Sequence, residues 1–104
     1  MAQEIYRERQ WTKYLPDGFV IQVYLRTIRG QIVLFSAALI KEDECITRYD
    51  NAHGFAHRDI IGRKSAGTID KERFDTLTLN EVFNYAVQDL SENYETLYEY
   101  YRSH

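Results

Sequence analysis

Two ten-residue runs, FVIQVYLRTI at Phe19–Ile28 and QIVLFSAALI at residues 31–40, are separated only by Arg29-Gly30. Nothing else in the chain limits its fold as strongly. Both runs are rich in β-branched and aromatic side chains, which suit a pleated, half-buried surface. Gly30 tolerates the positive φ that a tight turn demands, so the pair is expected to form an antiparallel hairpin. A two-residue loop sets Leu25 opposite Leu34, Val23 opposite Ser36 and Ile21 opposite Ala38. That face is apolar with small residues at one end, as expected where a helix lies close against a sheet.

Residues 5–14 read as a preceding strand, ended by the turn chemistry of Pro16-Asp17-Gly18. Residues 45–49 read as a fourth strand, reached through the charged turn at residues 41–44. Residues 60–77 are polar and interrupted by Gly62, Ser65-Ala66-Gly67 and Asp70, so they read as a long loop with a short element near Arg73-Phe74. Then Thr78-Leu79-Asn80-Glu81 matches a capping box, in which Thr78 accepts from the Glu81 amide and Glu81 reaches back. Leu79, Val82, Phe83, Ala86, Val87, Leu90, Tyr94, Leu97, Tyr98 and Tyr101 follow at helical spacing. The late tyrosines could run past the sheet and form a homodimer contact through the C-terminal helix. The expected architecture is α+β: an antiparallel β-meander of about four strands packed against one long C-terminal helix. A chain of 104 residues has no room for a second core, so residues 1–104 are taken as one domain.

The net charge of -3 argues against a general nucleic-acid coat protein, which relies on a basic surface. The charge is unevenly spread, with six basic against four acidic side chains in residues 48–73 and one against six in residues 74–104. The single cysteine, Cys45, excludes an internal disulfide and a multi-cysteine metal site. It follows Glu42-Asp43-Glu44, which would raise its thiol pKa, so it reads as structural. No apolar run reaches membrane-spanning length and MAQEIYRERQ has no signal-peptide core, so the expectation is a cytoplasmic protein with no membrane contact.

The basic groups gather around RYDNAHGFAHRD, residues 48–59. Asp50-Asn51 after a strand is turn chemistry, and Gly54 permits a conformation closed to other residues. Neither fact explains why two histidines and two arginines arrive with them. Three chemistries are open. In the first, His53 and His57 are a general acid–base pair on a phosphodiester, with Asp50 or Asp59 orienting an imidazole. Arg48, Arg58, Arg63 and Lys64 then hold the phosphate. In the second, Asp50, His53 and His57 hold a divalent metal, at a spacing that is permissive rather than diagnostic. In the third, the segment is a polar structural plug.

The block Tyr49-Asp50-Asn51-Ala52-His53-Gly54, followed by His57-Arg58, resembles the signature of a group of small, largely uncharacterised prokaryotic proteins. Some of these are TumE-type toxins of toxin–antitoxin pairs. The resemblance implies a β-meander before the motif, histidines shortly after it and a closing C-terminal helix. It implies Asp50, Asn51, His53 and His57 as functional residues, RNA as a target and an antitoxin protein as partner. This chain departs from the group at Arg58-Asp59, where a further histidine is expected.

The preferred expectation is therefore a toxin-like ribonuclease without a cofactor, working from the loop after the last strand. Its catalytic residues are His53, His57 and Asp50, and its substrate-binding residues are Arg48, Asn51, Arg58, Arg63 and Lys64. The alternative is a non-catalytic binding or assembly module, in which the DNAHG turn is structural and the tyrosine-bearing helix contacts a partner.

Overall fold

The hairpin forms, and further strands extend it on both sides. A computed structural model describes residues 5–104, so residues 1–4 of the expected domain lie outside the described residues. The strands are β1 (Tyr6–Tyr14), β2 (Phe19–Ile28), β3 (Gln31–Lys41), β4 (Glu44–Asp50), β5 (His57–Gly62) and β6 (Gly67–Arg73). They lie side by side in chain order, every neighbouring pair antiparallel, and are followed by one helix, α1 (Leu79–Ser103). The fold is α+β as expected, but the sheet has six strands rather than about four. Residues read as a long loop are the end of β5 and all of β6. GTIDKER lacks an apolar alternation because β6 is an exposed edge strand, held by its ladder with β5 rather than by a buried face.

The β2–β3 register also differs from the expected one. A bulge at Arg26/Thr27 pairs Thr27 with Ile32 but Arg26 with Leu34, so Leu25 faces Phe35, Val23 faces Ala37 and Ile21 faces Leu39. One extra residue moves every later side chain of β3 to the opposite face. The shift places Phe35, Ala37 and Leu39 in the core instead of Leu34, Ser36 and Ala38, a larger and more apolar set.

Helix α1 covers this face. Its capping box forms as the sequence indicates, with Glu81 N donating to Thr78 Oγ1 at 3.1 Å and Thr78 N to Glu81 Oε1 at 3.0 Å. Val82, Ala86, Leu90 and Tyr101 join Ile21, Phe35, Leu39, Ile46 and Tyr49 in the core. Three of the late tyrosines pack against the sheet. Tyr94 and Tyr98 pack on Phe19 with ring centroids 4.9 and 5.3 Å away, and the Tyr101 hydroxyl donates to Glu44. These three rings are therefore largely taken up within the chain, while Tyr100 on the same helix stays exposed. Among the described residues no helix is long and apolar enough to cross a membrane.

Among the described residues no helix covers the other face of the sheet. Two rows of side chains run across it in register. One is Thr12, Gln22, Ala38, Arg48, Asp59 and Lys71, and the other is Gln10, Tyr24, Ser36, Asp50, His57 and Arg73. Over β1 to β4 they line an open cavity of about 700 Å³, which ends at Arg48.

Candidate functional site

Strand geometry sorts the motif before any chemistry does. Successive side chains of β4 and β5 point to opposite faces. Arg48 and Asp50 therefore share the open face with their partners Asp59 and His57, while Tyr49 and Arg58 point toward the helix. Tyr49 is fully buried there, and its hydroxyl donates to Asp89 Oδ2 at 2.7 Å. Burial and that carboxylate push the phenol far above its ordinary pKa.

At the β4 end the chain turns back sharply. Gly54 has φ +88°, and its N–H donates to the Asn51 carbonyl at 3.2 Å. The loop is pinned again where Phe74 N donates to the Ala56 carbonyl at 3.0 Å. This brings His57 onto β5 directly beside Asp50, and leaves His53 exposed above it. The two imidazoles stack with centroids 5.9 Å apart and planes 30° from parallel.

Beneath them lies a buried ionic cluster. His57 Nε2 is 3.4 Å from Asp50 Oδ1 and 3.3 Å from Asp59 Oδ1, and its side chain is 1% exposed. Arg48 reaches both carboxylates from the side, Nε to Asp50 Oδ2 at 3.0 Å and a terminal nitrogen to Asp59 Oδ2 at 3.0 Å. Lys71 Nζ lies 3.3 Å from Asp59 Oδ1. Burial works to raise the Asp59 carboxyl, but hydrogen bonds from Arg48 and Lys71 and the nearby His57 hold it below the ordinary carboxylate value. Phe55 packs on His57 at 5.0 Å between centroids, and the Arg73 guanidinium lies 3.9 Å over the Phe55 ring. Arg48, Lys71 and Arg73, each half-exposed, thus lie on the same sheet face as Asp50, His57 and Asp59, with Arg73 also paired to Asp75.

Of the expected residues, Arg48, Asp50, His53 and His57 come together, between β4 and β5 rather than after the last strand. Four others do not join them. Asn51 is given to the backbone of β3, its Oδ1 accepting from Phe35 N at 2.9 Å and its Nδ2 donating to the Val33 carbonyl at 3.0 Å. Arg58 faces the helix side, near Thr47 and Glu72, because strand neighbours alternate. Arg63 and Lys64 sit in the β5–β6 turn at the opposite end of β4, which spans roughly 20 Å. Arg63 is engaged there by Glu44 and Tyr98. The expected metal set changes as well: with Asp50 and His57 it is Asp59, not His53, that converges, the ligand atoms lying within 4.8 Å of one another.

The residues missed are Lys71 and Arg73, together with the full weight of Asp59. Alternation within Arg48-x-Asp50 and His57-x-Asp59 would have signalled the shared face, once both were read as strands. Cys45 has a raised thiol pKa as expected, but burial rather than the acidic turn is the main cause.

A family profile described as "Domain of unknown function (DUF7718)" matches residues 6–104. No curated protein and no solved structure matches the chain.

Proposed function

We propose that this chain, which belongs to the DUF7718 family, is a toxin-like ribonuclease whose reactive group is His53. One observation carries the reading: an exposed imidazole is stacked on a buried one, and Arg48, Lys71 and Arg73 share the sheet face of that buried ring, at the end of an uncovered polar trough. His53 takes the proton from the ribose 2′-hydroxyl as its oxygen bonds to phosphorus, the P–O5′ bond breaks with water protonating the leaving 5′-oxygen, and Arg48, Lys71 and Arg73 stabilise the charge that builds on the phosphoryl oxygens. His57, closed off from solvent, does not touch the substrate. It and the two aspartates form the floor that supports His53. The trough of Gln10, Gln22, Tyr24 and Ser36 offers hydrogen bonds and one aromatic ring to an unpaired strand, as sheet-face RNA binders do. Within this reading the partner is an antitoxin protein.

The trough also favours a second reading, in which the face binds a phosphate-bearing ligand without chemistry. One RNA-cleavage assay separates the two, run on wild type, His53→Ala and Lys71→Ala, with thermal melts on the same samples. His53→Ala should slow cleavage by about 10²–10⁴-fold and leave the melt unchanged, because its ring is exposed. RNA bound but left intact, with binding weakened by Lys71→Ala and indifferent to His53→Ala, would replace the enzyme by the binding module.

A further inference from the structure

We infer that Asp50, His57 and Asp59 form a binding site for one divalent first-row metal ion, of the zinc or manganese class. The site stands on its own geometry and not on the ribonuclease reading.

Hydrogen-bond direction opens the argument. His57 Nδ1 faces the Phe55 carbonyl at 3.2 Å. A carbonyl only accepts, so Nδ1 carries a hydrogen and Nε2 is the ring atom left to bind an ion. Nε2 faces Asp50 Oδ1 and Asp59 Oδ1, so three atoms that can each ligate an ion converge in a nearly dry place, an entering ion taking the position of any proton on Nε2. His57 Nε2 is buried without an aligned hydrogen bond, and Asp59 Oδ1 is met only by the long 3.3 Å ion pair from Lys71. Such a group is costly unless something positive sits among the three atoms.

The spacing favours a metal over a direct bond. Separations of 3.3 and 3.4 Å are long for a hydrogen bond to a carboxylate. Two ligands on a tetrahedral ion with bonds near 2.0–2.1 Å stand roughly 3.3 Å apart. One imidazole and two carboxylates form a donor set suited to zinc or manganese, and too rich in oxygen for a site built to select soft metals.

The surroundings act as outer supports. Arg48 takes the Oδ2 atom of each aspartate, which turns both Oδ1 atoms inward toward Nε2. The Phe55 carbonyl fixes the His57 tautomer, and Ala52 N donates to Asp50 Oδ1 at 3.1 Å. Ligating histidines and carboxylates are commonly held in this way. Lys71 is the competitor. Its Nζ lies near Asp59 Oδ1, yet its side chain is 43% exposed and can swing into water when an ion enters.

The test is calorimetric titration of EDTA-stripped full chain with ZnCl₂ and with MnCl₂, MgCl₂ serving as control, all without RNA. Wild type should take one Zn²⁺ per chain and melt at a higher temperature with it. Asp59→Asn should weaken binding by at least about 100-fold, since loss of an outer support alone costs 10–100-fold. Lys71→Ala keeps every ligand and removes the competitor, so it should bind about tenfold tighter, and it guards against misfolding of the aspartate variant. No Zn²⁺ or Mn²⁺ binding in wild type and in Lys71→Ala would overturn the proposal, leaving a proton on Nε2 to bridge the carboxylates. Binding that survives Asp59→Asn but is lost in His53→Ala would overturn the ligand assignment. Because RNA is absent throughout, neither result bears on cleavage.

Discussion

Replacing Asn51 by alanine tests the most consequential reassignment, from a substrate contact to a stay of the sheet. β4 ends its ladder at Asp50, opposite Ser36, and the Asn51 amide then supplies what the next backbone pair would have supplied. It accepts from Phe35 N and donates to the Val33 carbonyl, spanning the bulged part of β3. The Val33 carbonyl lies in an exposed place and regains water, so its loss costs little. Phe35 N is part-buried beside a ring that is 1% exposed, and water cannot replace the lost acceptor there. The lost bond is worth about 1 kcal/mol and the stranded donor about 1–2 kcal/mol more, so Asn51→Ala should cost roughly 2–3 kcal/mol. At about 4–5 °C per kcal/mol for a domain of this size, the midpoint of a far-UV circular dichroism melt should fall by roughly 8–15 °C. Asn51→Asp keeps the acceptor and loses the donor, and should fall in between. An Asn51→Ala melt within about 2 °C of wild type, together with weakened RNA binding, would refute the argument and return Asn51 to the substrate.

Tyr49→Phe deletes the hydroxyl that binds Asp89, a bond to a charged acceptor. Asp89 keeps its bond from Asn93, so the loss should be about 1–2 kcal/mol, read as a lower urea midpoint at unchanged slope. Glu44 gives a pH test: the Tyr101 hydroxyl and then Arg63 hold its carboxyl below the ordinary value. A depressed carboxylate adds stability that is complete above its unfolded pKa and fades as pH falls through the lower folded value. Glu44→Gln should therefore be less stable than wild type near neutral pH, and the gap should close in acid. A gap that persists undiminished at about pH 2–3 in urea titrations would show that the carboxylate's charge is not the cause.

What could be read from the residues was what they settle among close neighbours. Arg29-Gly30 marked the hairpin, Pro16-Asp17-Gly18 the first turn, and Thr78 with Glu81 the start of α1, because each involves groups a few positions apart. The helical stripe was equally legible, since the 3.6-residue period alone decides which side chains share a face. The motif at residues 48–59 was found for the same reason: its composition is anomalous over a dozen residues.

Everything that depended on register escaped. The bulge in β3 decided which half of QIVLFSAALI enters the core, and burial of Phe35 and Leu39 favours it over an unbroken register. GTIDKER has no strand pattern of its own and becomes β6 only because β5 offers a free ladder, and with it come Lys71 and Arg73. Alternation then divides the motif, sending Arg58 to the helix side and joining Asp59 to Asp50 and His57. Local chemistry along the chain sufficed for a hairpin, a capped helix and a histidine-bearing turn. Which charged groups meet follows from the folded sheet, because charges meet across strands and the pairing that aligns them is a property of all six together.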